Sequence, residues 1–159
     1  MANITIIGAG FGALTAIRAL RRQSPDAHIT LVAPAEELLY YPSLIWIPSG
    51  LRNSEDLRIP LTDFCARESI HFYQGRVTGI KHGGRAVVTD CGEIGNDALI
   101  IASGGRFLKS LPGIEHAITL CAGTAAADNI RDRLQNMHYS RNFKWHRQFH
   151  RQRSPECHT

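Results

Sequence analysis

The chain is short of cysteine and lacks any cysteine pairing pattern. Cys65, Cys91, Cys121 and Cys157 are scattered, and no two of them form C-x-x-C. That excludes a disulfide-stapled scaffold and a zinc ribbon. No apolar run approaches the ~20 residues that a membrane-spanning helix requires. Met1–Gly10 carries no cation ahead of its apolar run, so a secretory leader is not expected and a reduced, cytoplasmic compartment is. Low-complexity tracts are missing too. With 159 residues, 43% of them hydrophobic, there is room for one globular domain with a core of its own.

The net charge of +4 suggests nucleic acid until it is located. Residues 1–137 are neutral, with 13 cations against 13 anions. The whole surplus sits in 138–159, where five cations face Glu156 alone and four of the eight histidines fall. That stretch contains no Leu, Ile, Val, Ala or Gly. It cannot offset the ~1–2 kcal/mol per residue that backbone ordering costs. Residues 138–159 are therefore expected to be a basic tail, disordered or the product of a shifted reading frame. Phe143, Trp145 and Phe149 interleave with arginines, but no RNA-binding pattern precedes them, and no nucleic-acid partner is expected. His146, His150, Cys157 and His158 have no scaffold to hold a tetrahedron, and no metal is expected.

What is present begins at the N-terminus. Asn3–Ile7 is a β-branched run ending in Gly8-Ala9-Gly10-Phe11-Gly12-Ala13, after which Leu14, Ile17 and Leu20 recur at helical spacing up to Ser24-Pro25. His28–Val32 is a second strand, stopped by Ala33-Pro34. This is a βαβ unit whose loop fits G-x-G-x-x-G/A as Gly8, Gly10 and Ala13. Gly8 allows the tight turn, Gly10 lets backbone approach a pyrophosphate, and Ala13 lets helix and strand pack closely. The helix N-terminus adds amide groups directed at the anion. The carboxylate that usually holds the ribose at the end of the second strand is missing, and Glu36 and Glu37 arrive late. Ribose recognition then falls to backbone or to a displaced glutamate, and an uncharged strand end leaves NADP open.

Farther along, residues 34–61 read as irregular and Thr62–Glu68 as a short helix. Ile70–Tyr73, Val77–Lys81 and Ala86–Thr89 read as strands, Asp97–Ala102 as a buried strand, and Ala122–Met137 as a helix. The expected fold is α/β: a Rossmann-like, FAD/NAD(P)-binding parallel sheet with a small antiparallel β insert over about residues 70 to 95.

Gly8–Ala13, the strand end Leu99–Gly105 and the segment Tyr40–Gly50 together resemble the two-dinucleotide-binding-domain flavoprotein oxidoreductases. Within that superfamily the chain is most similar to the sulfide:quinone oxidoreductase branch, with type II NADH:quinone oxidoreductases as cousins. Ile45 and Pro48 depart from the branch's usual residues. The resemblance covers residues 1–137 and implies an incomplete FAD-binding domain, an N-terminal fragment of an enzyme. It implies FAD on Gly8, Gly10, Phe11, Gly12 and Ala13, with Ala33 near the adenosine ribose and Val77 meeting the adenine. Pro42 would lie beside the flavin ring, and Ala102, Ser103 and Gly104 would pass close to the cofactor. Cys121, just ahead of a helix, matches a cysteine of that branch and would be catalytic, its thiolate favoured by the helix terminus. The implied electron path runs from sulfide through flavin to quinone. The alternatives are NADH as donor, or a non-catalytic nucleotide-binding remnant. The full-length family has no transmembrane span by this reading, and peripheral attachment at the inner face of the membrane is compatible with it.

Overall fold

The computed structural model describes residues 1–105, 110–119 and 122–139. Cys121 and the tail from residue 140 lie outside the described residues. Four strands, β1 (Asn3–Ile7), β2 (His28–Ala33), β5 (His71–Gln74) and β9 (Ala98–Ile101), form a parallel sheet in the order β5-β2-β1-β9. β1 registers Asn3 on His28 and Ile7 on Val32, and Ile4 faces Ala98 on its other side. Apart from their first residues, β1 and β2 are buried throughout. This is the reason a continuous apolar run, not an alternating one, marks them in the sequence.

Helix α1 (Phe11–Gln23) crosses from β1 to β2 and buries Ala13 and Ile17. They join Ile4, Ile6, Ile29, Leu31, Leu61, Phe64 and Cys65 in the main core. α1 ends at Ser24, whose amide caps the carbonyl of Leu20. Arg21 on its last turn donates to the carbonyls of Pro25, Ala27, Glu68 and Ser69. One guanidinium thus ties α1 to the turn after α2 (Thr62–Arg67), the short helix that leads into β5.

Two expectations need correction. The run at 70–73 is not part of the antiparallel insert: β5 is offset by one residue and pairs parallel with β2, Thr30 opposite His71. The intervening α2 supplies the crossover that a parallel neighbour needs, and a strand's own residues do not reveal which partner it takes. The insert is narrower, consisting of β6 (Val77–Lys81), β7 (Ala86–Thr89) and β8 (Gly92–Gly95). It lies against the sheet, where a Cβ at Gly92 would come 3.4 Å from the Tyr73 hydroxyl. The strand expected to be buried, β9, is the sheet's edge among the described residues, with Ile101 62% exposed.

The stretch read as irregular holds a ribbon of β3 (Glu37–Leu39) and β4 (Arg58–Pro60) and a 3₁₀ turn at Tyr41–Trp46. Leu44, Ile47 and Leu57 form a second core with Ala127 of α3 (Thr124–Tyr139). The Ser54 hydroxyl donates to Asp128 at 2.5 Å across the same contact. None of the helices in the described residues is long and apolar enough to cross a membrane.

Ile17 has no exposed surface and stands at the helix–sheet contact. Ile17→Ala is expected to cost about 2–5 kcal/mol, measured as the loss in urea unfolding free energy. A loss well under 1 kcal/mol would mean that α1 does not pack as described.

Candidate functional site

The ends of all four strands converge at the carboxyl edge of the parallel sheet, and the segments around them enclose a groove of about 1130 Å³. Its walls are the glycine loop Gly8–Gly12, the end of β2 from Val32 to Ala35, Glu37–Tyr41 less Tyr40, Gly75–Val77 and Ile101–Gly105. Ligands of open α/β sheets bind at this edge.

The glycine loop is locked to the end of β9. The Gly8 amide donates to Val32 O at 2.8 Å, and the Ala102 amide donates to Ile7 O at 2.8 Å. Gly8 adopts φ +103°, and a Cβ there would come 2.5 Å from Ala102 O and 2.9 Å from Ser103 Cα. No side chain fits: the two turns touch backbone to backbone. At Gly10, in extended backbone (φ −85°, ψ −179°), a Cβ would meet nothing within 4 Å, so the space over it belongs to the groove. α1 has no side-chain cap at Gly10 and no acid in its first turn. Its first ladder bond runs from the Leu14 amide to Gly10 O, leaving the amides of Phe11, Gly12 and Ala13 without helical partners. An uncapped, acid-free N-terminus opening on empty space fits an anionic group such as a pyrophosphate.

Of the residues singled out from sequence, Gly8, Gly10, Phe11, Gly12, Ala33, Val77, Ala102, Ser103 and Gly104 line this one groove. Ala13 is buried behind it against the sheet, as its packing role requires. Pro42 is exposed on the 3₁₀ turn beside the lining residue Tyr41 and is not itself part of the wall. Cys121 lies outside the described residues. Sequence reasoning gave no role to Arg76 on the wall, named Tyr41 only within the segment of the resemblance, and left Glu37 as one of two displaced glutamates. The doubled glutamates were visible, but only the β3–β4 ribbon decides which one faces the groove. Phe11 and Tyr40 meet edge to face, with ring centroids 5.9 Å apart, and frame one rim.

Residues 2–143 match the pyridine nucleotide-disulphide oxidoreductase family. The chain belongs to this family. Membership implies a flavin cofactor, and the match, like α3, runs past the change in composition at His138. The fold resembles sulfide:quinone oxidoreductase from the hyperthermophilic bacterium Aquifex aeolicus (TM-score 0.77, 25% identity), over 89% of this chain and 33% of that one. It also resembles an NAD-dependent persulfide reductase from A. fulgidus (TM-score 0.67, 26% identity), over 84% of this chain and 27% of that one. In sequence, 118 residues are 28% identical to the type II NADH:quinone oxidoreductase of Staphylococcus aureus, covering 71% of this chain and 28% of the relative. The chain thus spans about a third or less of the length of these relatives.

Both cysteines in the described residues have thiols held above their ordinary range. Burial, followed by the nearby Glu36 carboxylate, pushes the Cys65 thiol up. Cys91 is exposed, but its thiol donates to the Asp90 carboxylate, which also raises it. Asp90 is held down in turn, chiefly by the Arg76 amide at 2.8 Å. A raised pKa means less thiolate near neutral pH, so Cys91 is expected to alkylate more slowly than a free thiol despite its exposure. Asp90→Asn should speed iodoacetamide labelling at pH 7.5, followed by mass spectrometry. An unchanged rate would show that Asp90 does not restrain the thiol.

Proposed function

We propose that the groove holds FAD and that the chain is the FAD-binding part of a flavin-dependent quinone oxidoreductase of the sulfide-oxidising kind. The observation that carries this reading is the open cradle at Gly10 under an uncapped helix, joined to the turn Ala102–Gly104 in one continuous wall. The likeness to the sulfide:quinone oxidoreductase of Aquifex aeolicus supports the branch. The flavin, when bound, supplies two-electron transfer between a donor and an acceptor.

This chain's own residues would bind and orient. The free amides of Phe11 and Gly12 would take the pyrophosphate, and Gly8 would hold the two turns close enough to make one wall. Ala33 would flank the adenosine and Val77 the adenine, with Pro42 at the flavin end. Cys121 is proposed as the thiol that meets sulfide, a role neither Cys65 nor Cys91 suits. The whole protein would pass electrons to quinone at the inner face of the membrane, as a peripheral protein. The 28% identity to a type II NADH:quinone oxidoreductase favours a second reading, with NADH as the donor to the same flavin.

Titration with FAD, followed by quenching of flavin fluorescence, tests the proposal. Saturable binding is expected. Gly10→Val should abolish it while costing at most about 1 kcal/mol in helix capping, because the new side chain meets only groove. Gly8→Ala should instead lower stability outright, by about 1–3 kcal/mol for its positive φ and more for the clash with Ala102. Binding of NADH without binding of FAD under the same conditions would overturn the assignment.

A further inference from the structure

The parallel sheet has two edges among the described residues, and they are not alike. β5 reads His71-Phe72-Tyr73-Gln74, with an exposed polar residue at each end. β9 reads Ala98-Leu99-Ile100-Ile101, with no charge, no proline and no bulge in its register on β1. Charges, prolines and bulges are what deter an edge strand from pairing with another chain, and β9 has none of them. Asp97, just before the strand, is turned inward, its carboxylate accepting from the Asn3 amide at 2.8 Å.

The ladder shows which groups this edge leaves over. Ile7 faces Ile101, and Ile7 O accepts from the Ala102 amide at 2.8 Å. Successive residues of a strand turn their amides and carbonyls to opposite sides, so Ile100 bonds β1 while Leu99 and Ile101 direct theirs outward. Among the described residues no strand pairs with β9 on that side. Two amides and two carbonyls stand open beside an apolar surface, with Ile101 62% exposed.

The residues around Ile100 are nearly a palindrome, Asp-Ala-Leu-Ile-Ile-Ala-Ser over 97–103. We propose that two copies of this chain pair through β9, antiparallel about a two-fold axis at Ile100, so that their sheets become one. Leu99 then exchanges both backbone bonds with the partner's Ile101, and Ile101 with the partner's Leu99, which satisfies every outward group of the strand. Ile100 faces the partner's Ile100, Ala98 the partner's Ala102, and Asp97 the partner's Ser103. Bulky aliphatics meet each other, alanine meets alanine, and no like charges are opposed. A two-fold contact demands such self-complementarity. A shift by one residue would set the open groups against residues that bond their own β1, and a shift by two would leave Leu99 or Ile101 without its match. The contact is a single strand pair, smaller than the roughly 1,200–2,000 Å² of a stable interface, and the dimer is accordingly reversible. It does not depend on what the groove binds, although Ile101 lines the groove as well.

The test is sedimentation equilibrium of the full chain over a concentration series, with amide exchange followed residue by residue by NMR. A monomer–dimer equilibrium is expected, in which the Leu99 and Ile101 amides gain protection as concentration rises. Ile101→Pro removes an outward donor but no bond to β1, and Ile101→Lys puts a charge on the edge. Each should weaken association about tenfold or more, because the two-fold counts every change twice. Ile80→Lys, at an exposed apolar position on β6, should leave association unchanged. Urea unfolding shows whether the variants are folded; if the Ile101 variants are not, exchange in the wild type decides. A monomer at every concentration would overturn the proposal. So would a dimer whose Leu99 and Ile101 amides exchange freely, one that folded Ile101 variants form as tightly, or one that Ile80→Lys weakens as much as Ile101→Lys. A monomer in which those two amides are protected would show that the chain covers its own edge, and would overturn the second copy as its occupant.

Discussion

Everything at the functional edge depends on two chain segments meeting without a side chain between them. The end of β1 and the end of β9 are neighbours in a parallel sheet, so their following loops leave on the same side and must pass each other. They do so at Gly8 and Ala102, in backbone contact. A larger residue at position 8 would push the two turns apart and divide the groove. The bare N-terminus of α1 matters only because this contact holds it open: pre-formed dipoles aimed at an empty space bind an anion without paying to reorganise.

The geometry separates two roles that the glycine motif conceals when read as letters. Gly8 is a structural requirement, fixed by its dihedral angle and by Ala102, whereas the fold makes no such demand at Gly10, which faces open groove. Ala13 belongs to neither and simply lets α1 lie close on the sheet. The Glu37–Tyr41 side of the groove is built differently, by a ribbon inserted between β2 and α2, across which Glu37 and Arg58 form an ion pair.

Most of the βαβ unit was legible because its residues are in contact with sequence neighbours or repeat at a period. Asn3–Ile7, the helix to Ser24 and His28–Val32 could be placed from apolar runs and breakers alone. The glycine loop was legible from its spacing, although its backbone requires glycine only at Gly8. What could not be read were choices made by distant partners. His71–Gln74 carries nothing that prefers a parallel neighbour, and Ala98–Ile101 looks like a core strand until its outer side is found open. The β3–β4 ribbon escaped notice because each strand has three residues and one contains Pro60. Glu36 and Glu37 were equivalent as letters, and of the two only Glu37 lies on the ribbon and lines the groove.

The Arg21 clasp bears on how the molecule comes apart. Its guanidinium collects carbonyls from the turn after α1 and from the α2–β5 turn, segments separated by more than forty positions. Fraying of the last turn of α1 would strand all of those acceptors together, so neither turn can open alone. Amide exchange along this seam is expected to be coupled, the far end of the sheet opening together with the helix that crosses it. At the groove edge the Tyr41–Trp46 turn is tied locally instead: Trp46 O accepts from the Ser49 hydroxyl and from the amides of Leu51 and Arg52, while the Tyr41 and Trp46 side chains stay exposed. The clasp at the far end thus joins segments distant in sequence, whereas the ties at the groove rim join near neighbours.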